Sequence, residues 1–215
     1  MAATESTTEF TRQEQNLLAK GYPKLAGMTE KKFLGLLAPL RKKLGRLKPP
    51  AAKSERIPCV IVIREELVRA DAAMRKVRIK GRQGHVAMQP VTPVAFQPLP
   101  GLKVPEASAY LLLDIETGRR SLNVTVARAL PAIRRRKRSP LTIDEGVALL
   151  THFPEILTDK ERYNCVWLAG SRGSDKRVPA LWSSYGRPRL GWCWENTPHT
   201  WLGCASCGGR TGSGK

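Results

Sequence analysis

The sequence predicts an α+β protein with an N-terminal helical pair, a mixed or antiparallel sheet, and a C-terminal tryptophan-rich β-meander. Apolar residues recur every three or four positions before residue 50, which is the period of an amphipathic helix. An uninterrupted apolar run at 59–63 is typical of a strand that is buried on both faces. Short β-prone runs between 163 and 194 are cut by glycine, proline and serine turns, as in an antiparallel meander.

Composition divides the chain into an N-terminal helical segment, 1–50, and an α+β domain, 55–210, that contains the meander. The stretch 48–54 between them contains prolines, alanines and lysines and is predicted to be a linker. A chain of 215 residues, of which 41% are hydrophobic, is long enough to bury a core of its own.

Local signals mark the helix boundaries in the N-terminal segment. Thr11 and Glu14 have the spacing of a capping box, so the first helix is expected to begin there. Gly21 is expected to end this helix, and Thr29 is expected to cap the second one.

The middle of the chain alternates between strand and helix signals. The run 59–63 is expected to form a central strand, and 64–75 is expected to form the helix that follows it. Two apolar segments, 110–115 and 122–126, flank a glycine-containing turn, and this pattern predicts a hairpin.

Two further helices are expected after this hairpin. The first covers 126–133 and leads into a run of cations. The second begins at a capping box formed by Thr142 and Glu145 and continues to His152.

Charge is the strongest global property of the sequence. There are 37 Lys and Arg residues against 18 Asp and Glu residues, so the formal net charge is +19. Self-repulsion of this size is relieved when a polyanion binds, so an anionic partner is expected.

No apolar run is long enough to span a membrane. The odd number of cysteines and the absence of a signal-peptide pattern predict a reduced, cytoplasmic protein.

Three basic groups are candidates for contact with nucleic-acid phosphates, since clustered cations position a phosphate backbone without reading its sequence. The first group below is expected to be exposed and to form one contiguous patch with either the second or the third, although solvated charge at helix ends and turns is the alternative. The groups are the run Arg134, Arg135, Arg136, Lys137 and Arg138, the helix face with Arg41, Lys42, Lys43 and Arg46, and the glycine-broken turn with Arg172, Lys176 and Arg177.

Trp192 and Trp194 alternate along a predicted strand and should therefore point to the same face. Paired tryptophans are common in protein cores. On an exposed face, they form a platform on which nucleic-acid bases stack. We therefore count both residues among the candidate nucleic-acid contacts.

The end of the meander contains a possible zinc site. Cys193, His199, Cys204 and Cys207 follow the spacing C-x5-H-x4-C-x2-C, and the last two resemble a zinc knuckle. One alternative is that the cysteines are buried and pack as small hydrophobic residues. The other is that His199 activates a nearby thiol, which would make Cys193, His199 and Cys207 the catalytic candidates.

Six segments of the chain carry a family resemblance: Ser139–Leu149, His152–Pro154, Gly170–Arg172, Arg177–Trp182, Leu190–Trp194 and Pro198–Gly203. Through them, the chain resembles an uncharacterised actinobacterial family that is known only as a domain of unknown function. This resemblance implies no activity, cofactor or catalytic residue.

The sequence favours a cytoplasmic nucleic-acid-binding protein, with RNA or the ribosome ahead of DNA. One competing hypothesis is a small enzyme whose Cys/His pocket is walled by Trp192, Trp194 and Trp201, with Arg172 and Arg177 holding an anionic substrate. Another is a basic scaffold that binds acidic proteins. No nucleophile, base and orienting group occur at a recognisable spacing, so a catalytic function is not predicted.

Overall fold

The computed structural model describes residues 2–47 and 56–212, with side chains from residue 6 onward. It confirms the predicted α+β class, because N-terminal helices pack on a sheet that is followed by a second, strand-rich half. The predicted linker, 48–54, lies outside the described residues.

Three helices precede the first strand: α1 (Ala2–Ala19), α2 (Tyr22–Leu25) and α3 (Glu30–Leu44). Gly21 has a φ of 73° and follows the end of α1, as predicted. Thr29 caps α3 by accepting a hydrogen bond from the backbone N–H of Lys32 at 3.3 Å. The capping box at Thr11 was a wrong prediction, because Thr11 lies in the middle of α1 and donates to the carbonyl of Thr7.

The first sheet has four antiparallel strands in the order β1-β6-β13-β7. Apolar residues of α1 and α3 and of the first two strands belong to one buried cluster, so the N-terminal helices share the core of this sheet. The strands are β1 (Ile57–Ile63), β6 (Ala109–Glu116), β7 (Ser139–Pro140) and β13 (Ser206–Gly212).

The predicted hairpin of 110–115 with 122–126 does not form. Gly118, with a φ of 95°, starts a 3-10 helix, Arg119–Ser121. The Thr125 side chain then caps α5 (Val126–Arg135) by accepting from the N–H of Arg128 at 3.4 Å. Strand β6 pairs instead with β1 and β13, which are distant in sequence.

Strand β1 is the edge of its sheet, not the central strand that was predicted. The buried side chain of Gln13 from α1 covers this edge. Its amide nitrogen donates to the carbonyl of Cys59 at 2.8 Å, and its amide oxygen accepts from the N–H of Ile61 at 2.8 Å. Gln13 thus makes the hydrogen bonds that a neighbouring strand would otherwise provide.

The second sheet has five strands in the order β12-β8-β10-β11-β4. Its centre is the predicted antiparallel meander, and the outer strands add in parallel, so the sheet is mixed. The strands are β4 (His85–Val86), β8 (Cys165–Trp167), β10 (Arg177–Ser184), β11 (Arg187–Trp194) and β12 (Leu202–Cys204).

Short elements connect the two sheets. The predicted helix 64–75 is reduced to α4 (Ala70–Met74). The capping box of Thr142 and Glu145 was predicted correctly and begins α6 (Ile143–His152). Two small ribbons complete the fold, β2 (Arg78–Ile79) with β3 (Arg82–Gln83), and β5 (Gln97–Pro98) with β9 (Ser171–Arg172).

Candidate nucleic-acid interface

The basic run after α5 is only partly available to a ligand. Arg134, Arg135 and Lys137 are exposed, whereas Arg136 is half-buried and the side chain of Arg138 is 5% exposed. The expectation that all five cations are exposed was therefore wrong.

Arg136 and Arg138 turn inward because two carboxylates of β6 lie beneath them. Arg138 donates to the Asp114 carboxylate at 2.5 Å and to the Ser206 hydroxyl at 2.9 Å. Arg136 donates to Glu116 at 2.8 Å. These contacts join the end of α5 to β6 and β13, so the two arginines hold the fold together.

The cations of α3 lie at a different place. Arg41 is paired with Glu14, and Lys43 donates to the carbonyl of Gly212 at 2.7 Å. Gly212 is opposite Tyr110 at one end of β6, whereas Arg136 and Arg138 contact its other end. Six residues of strand separate the two ends, which is about 20 Å. Along β6, the structure therefore places the two groups at opposite ends of the sheet.

In the glycine-broken turn, the lysine side chain is exposed, whereas the two arginines donate hydrogen bonds to other groups of the protein. Lys176 is exposed. Arg172 donates to the carbonyls of Ala169 and Ser171, both at 3.3 Å, and burial lowers its pKa. Arg177 donates to the Asp175 carboxylate at 2.6 Å.

Trp192 and Trp194 share a face of β11, as predicted, with their ring centroids 5.1 Å apart in an edge-to-face arrangement. The guanidinium of Arg177 lies over both rings, 4.6 Å from the centroid of Trp192 and 5.2 Å from that of Trp194. The indole N–H of Trp192 donates to the carbonyl of Met88 at 2.9 Å. This platform is therefore already occupied by the protein's own arginine, although Trp194 is 47% exposed.

The structure does not bring the four candidate zinc ligands together. Cys207 is buried in the core of the first sheet, whereas Cys204 is buried in the cluster beneath α5, against which Cys193 packs. Over residues 2–47 and 56–212, there is no group of three His, Cys, Asp or Glu side chains that could hold a metal ion. The geometry gives the zinc hypothesis no support, and it stays a prediction for metal analysis to test.

The same cysteines lack the properties of catalytic thiols. Burial raises the pKa of Cys204 and of Cys207 to about 12 and also raises the pKa of Cys193. A thiol reacts as a nucleophile through its thiolate, which needs a lowered pKa. His199 lies between Trp167 and Trp201, with ring centroids 5.9 and 4.9 Å away. The enzyme hypothesis therefore finds no activated thiol here.

A basic surface that the sequence analysis missed lies at the tip of the β10–β11 hairpin. Arg82 of the β2–β3 hairpin donates to the carbonyl of Tyr185 at 2.9 Å, and Arg187 donates to the carbonyl of Gln83 at 3.0 Å. These two bonds dock one hairpin on the other. The Tyr185 side chain is held at the tip and is 93% exposed.

We call this surface the basic hairpin face. Its cations are exposed, and none of them has a carboxylate within ion-pair distance among the described residues. Nearby positive charge is dense enough to affect Lys20, whose pKa is lowered by burial and then by the charges of Arg78 and Lys76. The face consists of Arg78, Lys80, Arg82, Tyr185 and Arg187.

Comparison with known proteins identifies the family. The model of DUF5701, a family of unknown function, matches residues 16–213. The chain belongs to this family. No curated protein and no solved structure matches it. The resemblance to a domain-of-unknown-function family is thereby confirmed.

In this DUF5701 chain, a sequence signal for the basic hairpin face did exist. Six cations and one carboxylate occur between Arg69 and Arg82. The cations alternate with apolar residues and do not form a run, so they are less conspicuous than Arg134–Arg138. Tyr185 and Arg187 belong to this face only because the β10–β11 hairpin docks on the β2–β3 hairpin, about a hundred residues earlier in the chain. No local sequence pattern indicates that contact.

Two clefts of similar volume are lined by titratable side chains. One, of about 260 Å³, lies beside the basic hairpin face and is lined by Arg75, His85 and Arg187 among others. The other, of about 240 Å³, lies at the start of α6 and includes Asp144, whose pKa burial raises to about 7.

Among the described residues, no helix combines the length and apolar composition that crossing a bilayer requires.

Proposed function

We propose that this protein binds single-stranded nucleic acid, RNA ahead of DNA, through the basic hairpin face. The observation that carries the proposal is the exposed ring of Tyr185 beside Arg82 and Arg187, on two docked hairpins whose four exposed cations have no carboxylate partner in the part of the chain that the structure describes. Cations of this kind neutralise phosphates and release counterions. An exposed aromatic ring stacks on an unpaired base, and only a single strand offers unpaired bases freely.

The other basic groups contribute less to this function. Arg134, Arg135 and Lys137 are exposed and add to the electrostatic attraction of a polyanion. The net charge of +19 supports a polyanionic partner in general. All five cysteines are free thiols, which supports our proposal that the protein acts in the reducing cytoplasm.

The test is fluorescence anisotropy with single-stranded RNA, single-stranded DNA and duplex DNA of mixed sequence over a range of salt concentrations. We expect the triple variant Arg78→Ala, Lys80→Ala and Arg82→Ala to bind more weakly. The slope of log affinity against log salt should fall by about 0.7 for each phosphate contact that is lost. The matched control is Arg134→Ala, Arg135→Ala and Lys137→Ala, which removes the same charge elsewhere and should have a smaller effect.

Tyr185→Ala tests the stacking contact separately. We expect it to weaken single-strand binding by about 1–3 kcal/mol with an unchanged salt slope, because stacking is not a charge effect. The proposal is wrong if no nucleic acid binds near physiological salt, or if both triple variants lose affinity equally. Binding of acidic proteins in place of nucleic acid would favour the scaffold hypothesis.

A further inference from the structure

A guanidinium with unused hydrogen-bond donors lies next to the basic hairpin face. Arg189 follows Arg187 on β11 by two residues, so both side chains project from the same face of the sheet, about 7 Å apart. Within residues 2–47 and 56–212, the partly exposed side chain of Arg189 has neither a carboxylate at ion-pair distance nor a hydrogen-bond acceptor. Its Nε atom is buried, whereas its two Nη groups reach solvent. The Nη groups are therefore available to a ligand.

The neighbours of Arg189 hold its guanidinium in place without neutralising it. Trp182 is its cross-strand partner on β10, and the guanidinium lies over the indole ring, 5.0 Å from the centroid. His85 is its partner on β4. Burial, followed by the charges of Arg187 and Arg189, lowers the pKa of His85, so the imidazole is neutral near neutral pH. Neither flanking side chain supplies a negative charge.

The indole of Trp182 is held by its own packing. The ring packs against the buried cluster beneath α5. It also passes so close to Gly191 that a Cβ atom there would stand 2.3 Å from Cη2 of the indole, so only glycine leaves room for the ring. Arg189 thus stacks on a fixed surface, and less side-chain entropy is lost when its Nη groups bind a ligand.

We propose that Arg189, held on Trp182, binds a backbone phosphate of the single strand whose base stacks on Tyr185. A stacked guanidinium keeps a planar edge of N–H donors outward, and this edge matches two oxygens of one phosphate. The strand therefore continues from the hairpin tip past Arg187 and along this face of β11 toward α5. This inference rests on the proposed function and adds a phosphate subsite to it.

The test measures the affinity of a short uridine-only RNA by fluorescence anisotropy at several salt concentrations. Arg189→Gln should weaken binding about tenfold or more, as expected for a lost hydrogen bond between charged groups, and should lower the salt slope by about 0.7. Arg189→Lys keeps the charge but loses the planar fork, so the slope should stay while the affinity falls. Arg128→Gln is the matched control. It removes an exposed arginine at the start of α5 and should leave both quantities nearly unchanged.

Trp182→Leu tests the platform separately. The charge of Arg189 remains, so the salt slope should not change. The affinity should fall about two- to tenfold, because a freed arginine side chain must be ordered on binding. In the Arg189→Gln background, the same change should cause no further loss, since Trp182 acts through Arg189 as a positioning residue. An equal loss in both backgrounds would overturn this role, and thermal unfolding shows that each variant is folded.

The possible results separate this inference from the proposed function. If Tyr185→Ala weakens RNA binding and Arg189→Gln binds as tightly as the parent protein, the inference is wrong and the proposed function stands. If Arg189→Gln weakens only an RNA that contains guanine, the guanidinium reads a base edge and the phosphate assignment is wrong. If the parent protein binds no RNA or single-stranded DNA, both are wrong.

Discussion

Single residues with buried charge determine much of this structure. Glu145 is fully buried at the start of α6. It accepts from the Tyr110 hydroxyl at 2.9 Å, from the Thr142 N–H at 2.8 Å, and from Arg210 at 2.5 and 2.8 Å. Through these hydrogen bonds, the Glu145 carboxylate links the start of α6 to β6 and β13.

Arg210→Leu should destabilise the protein by about 3–5 kcal/mol, because it leaves Glu145 buried without its cation. Denaturant-induced unfolding measures this loss. Arg135→Leu, at an exposed position, is the control and should change the unfolding free energy by less than about 0.5 kcal/mol. Equal effects of the two changes would show that the buried ion pair is not required.

Asp144 should make stability depend on pH in the direction opposite to an ordinary ion-paired carboxylate. Burial, followed by the charges of Glu65 and Glu145, raises its pKa to about 7, while Arg64 and a backbone hydrogen bond from Glu65 oppose this. The protonated form therefore favours folding, and its contribution is lost as pH rises from about 4 to about 7.

Asp144→Asn removes this titration. Relative to the parent protein, we expect a gain on the order of 1 kcal/mol or more at about pH 8 and only a small change at about pH 4, where Asp144 is protonated in the folded state and mostly protonated in the unfolded one. Unfolding curves at both pH values measure the difference. A gain that is the same at both pH values would contradict the raised pKa.

At the scale of elements, two variants at the end of α5 test whether its arginines bind a ligand or stabilise the fold. Arg138→Met should cost on the order of 2 kcal/mol in unfolding free energy, because Asp114 would lose its buried partner but keep Arg56 at 3.0 Å. Arg135→Met should leave stability unchanged and lower RNA affinity slightly. Thermal unfolding and anisotropy on the two variants decide between these roles, and the reverse pattern would restore Arg138 to the interface.

At the scale of the whole molecule, features that depend on neighbouring residues were predictable. Thr29, Gly21 and the Thr142–Glu145 box mark helix ends through their own backbone chemistry. The shared face of Trp192 and Trp194 follows from the two-residue repeat of a strand. These signals need no knowledge of the rest of the chain.

Features that depend on distant residues were not predictable in this way. Strand β6 could pair with the segment after it or with β1 and β13, and the choice depends on burial across the whole sheet. Arg136 and Arg138 look solvent-facing in sequence because Asp114 and Glu116 lie twenty or more residues before them. The basic hairpin face exists only because two hairpins dock.

The position of Gln13 has a consequence for how separate chains behave. Strand β1 is rich in β-branched residues and has one open side, and a single side chain of α1 blocks that side. Fraying of α1 would uncover unpaired backbone groups on a flat apolar strand, which is the surface from which intermolecular strand pairing and fibril growth begin. The N-terminal helix therefore also protects each molecule from its own copies.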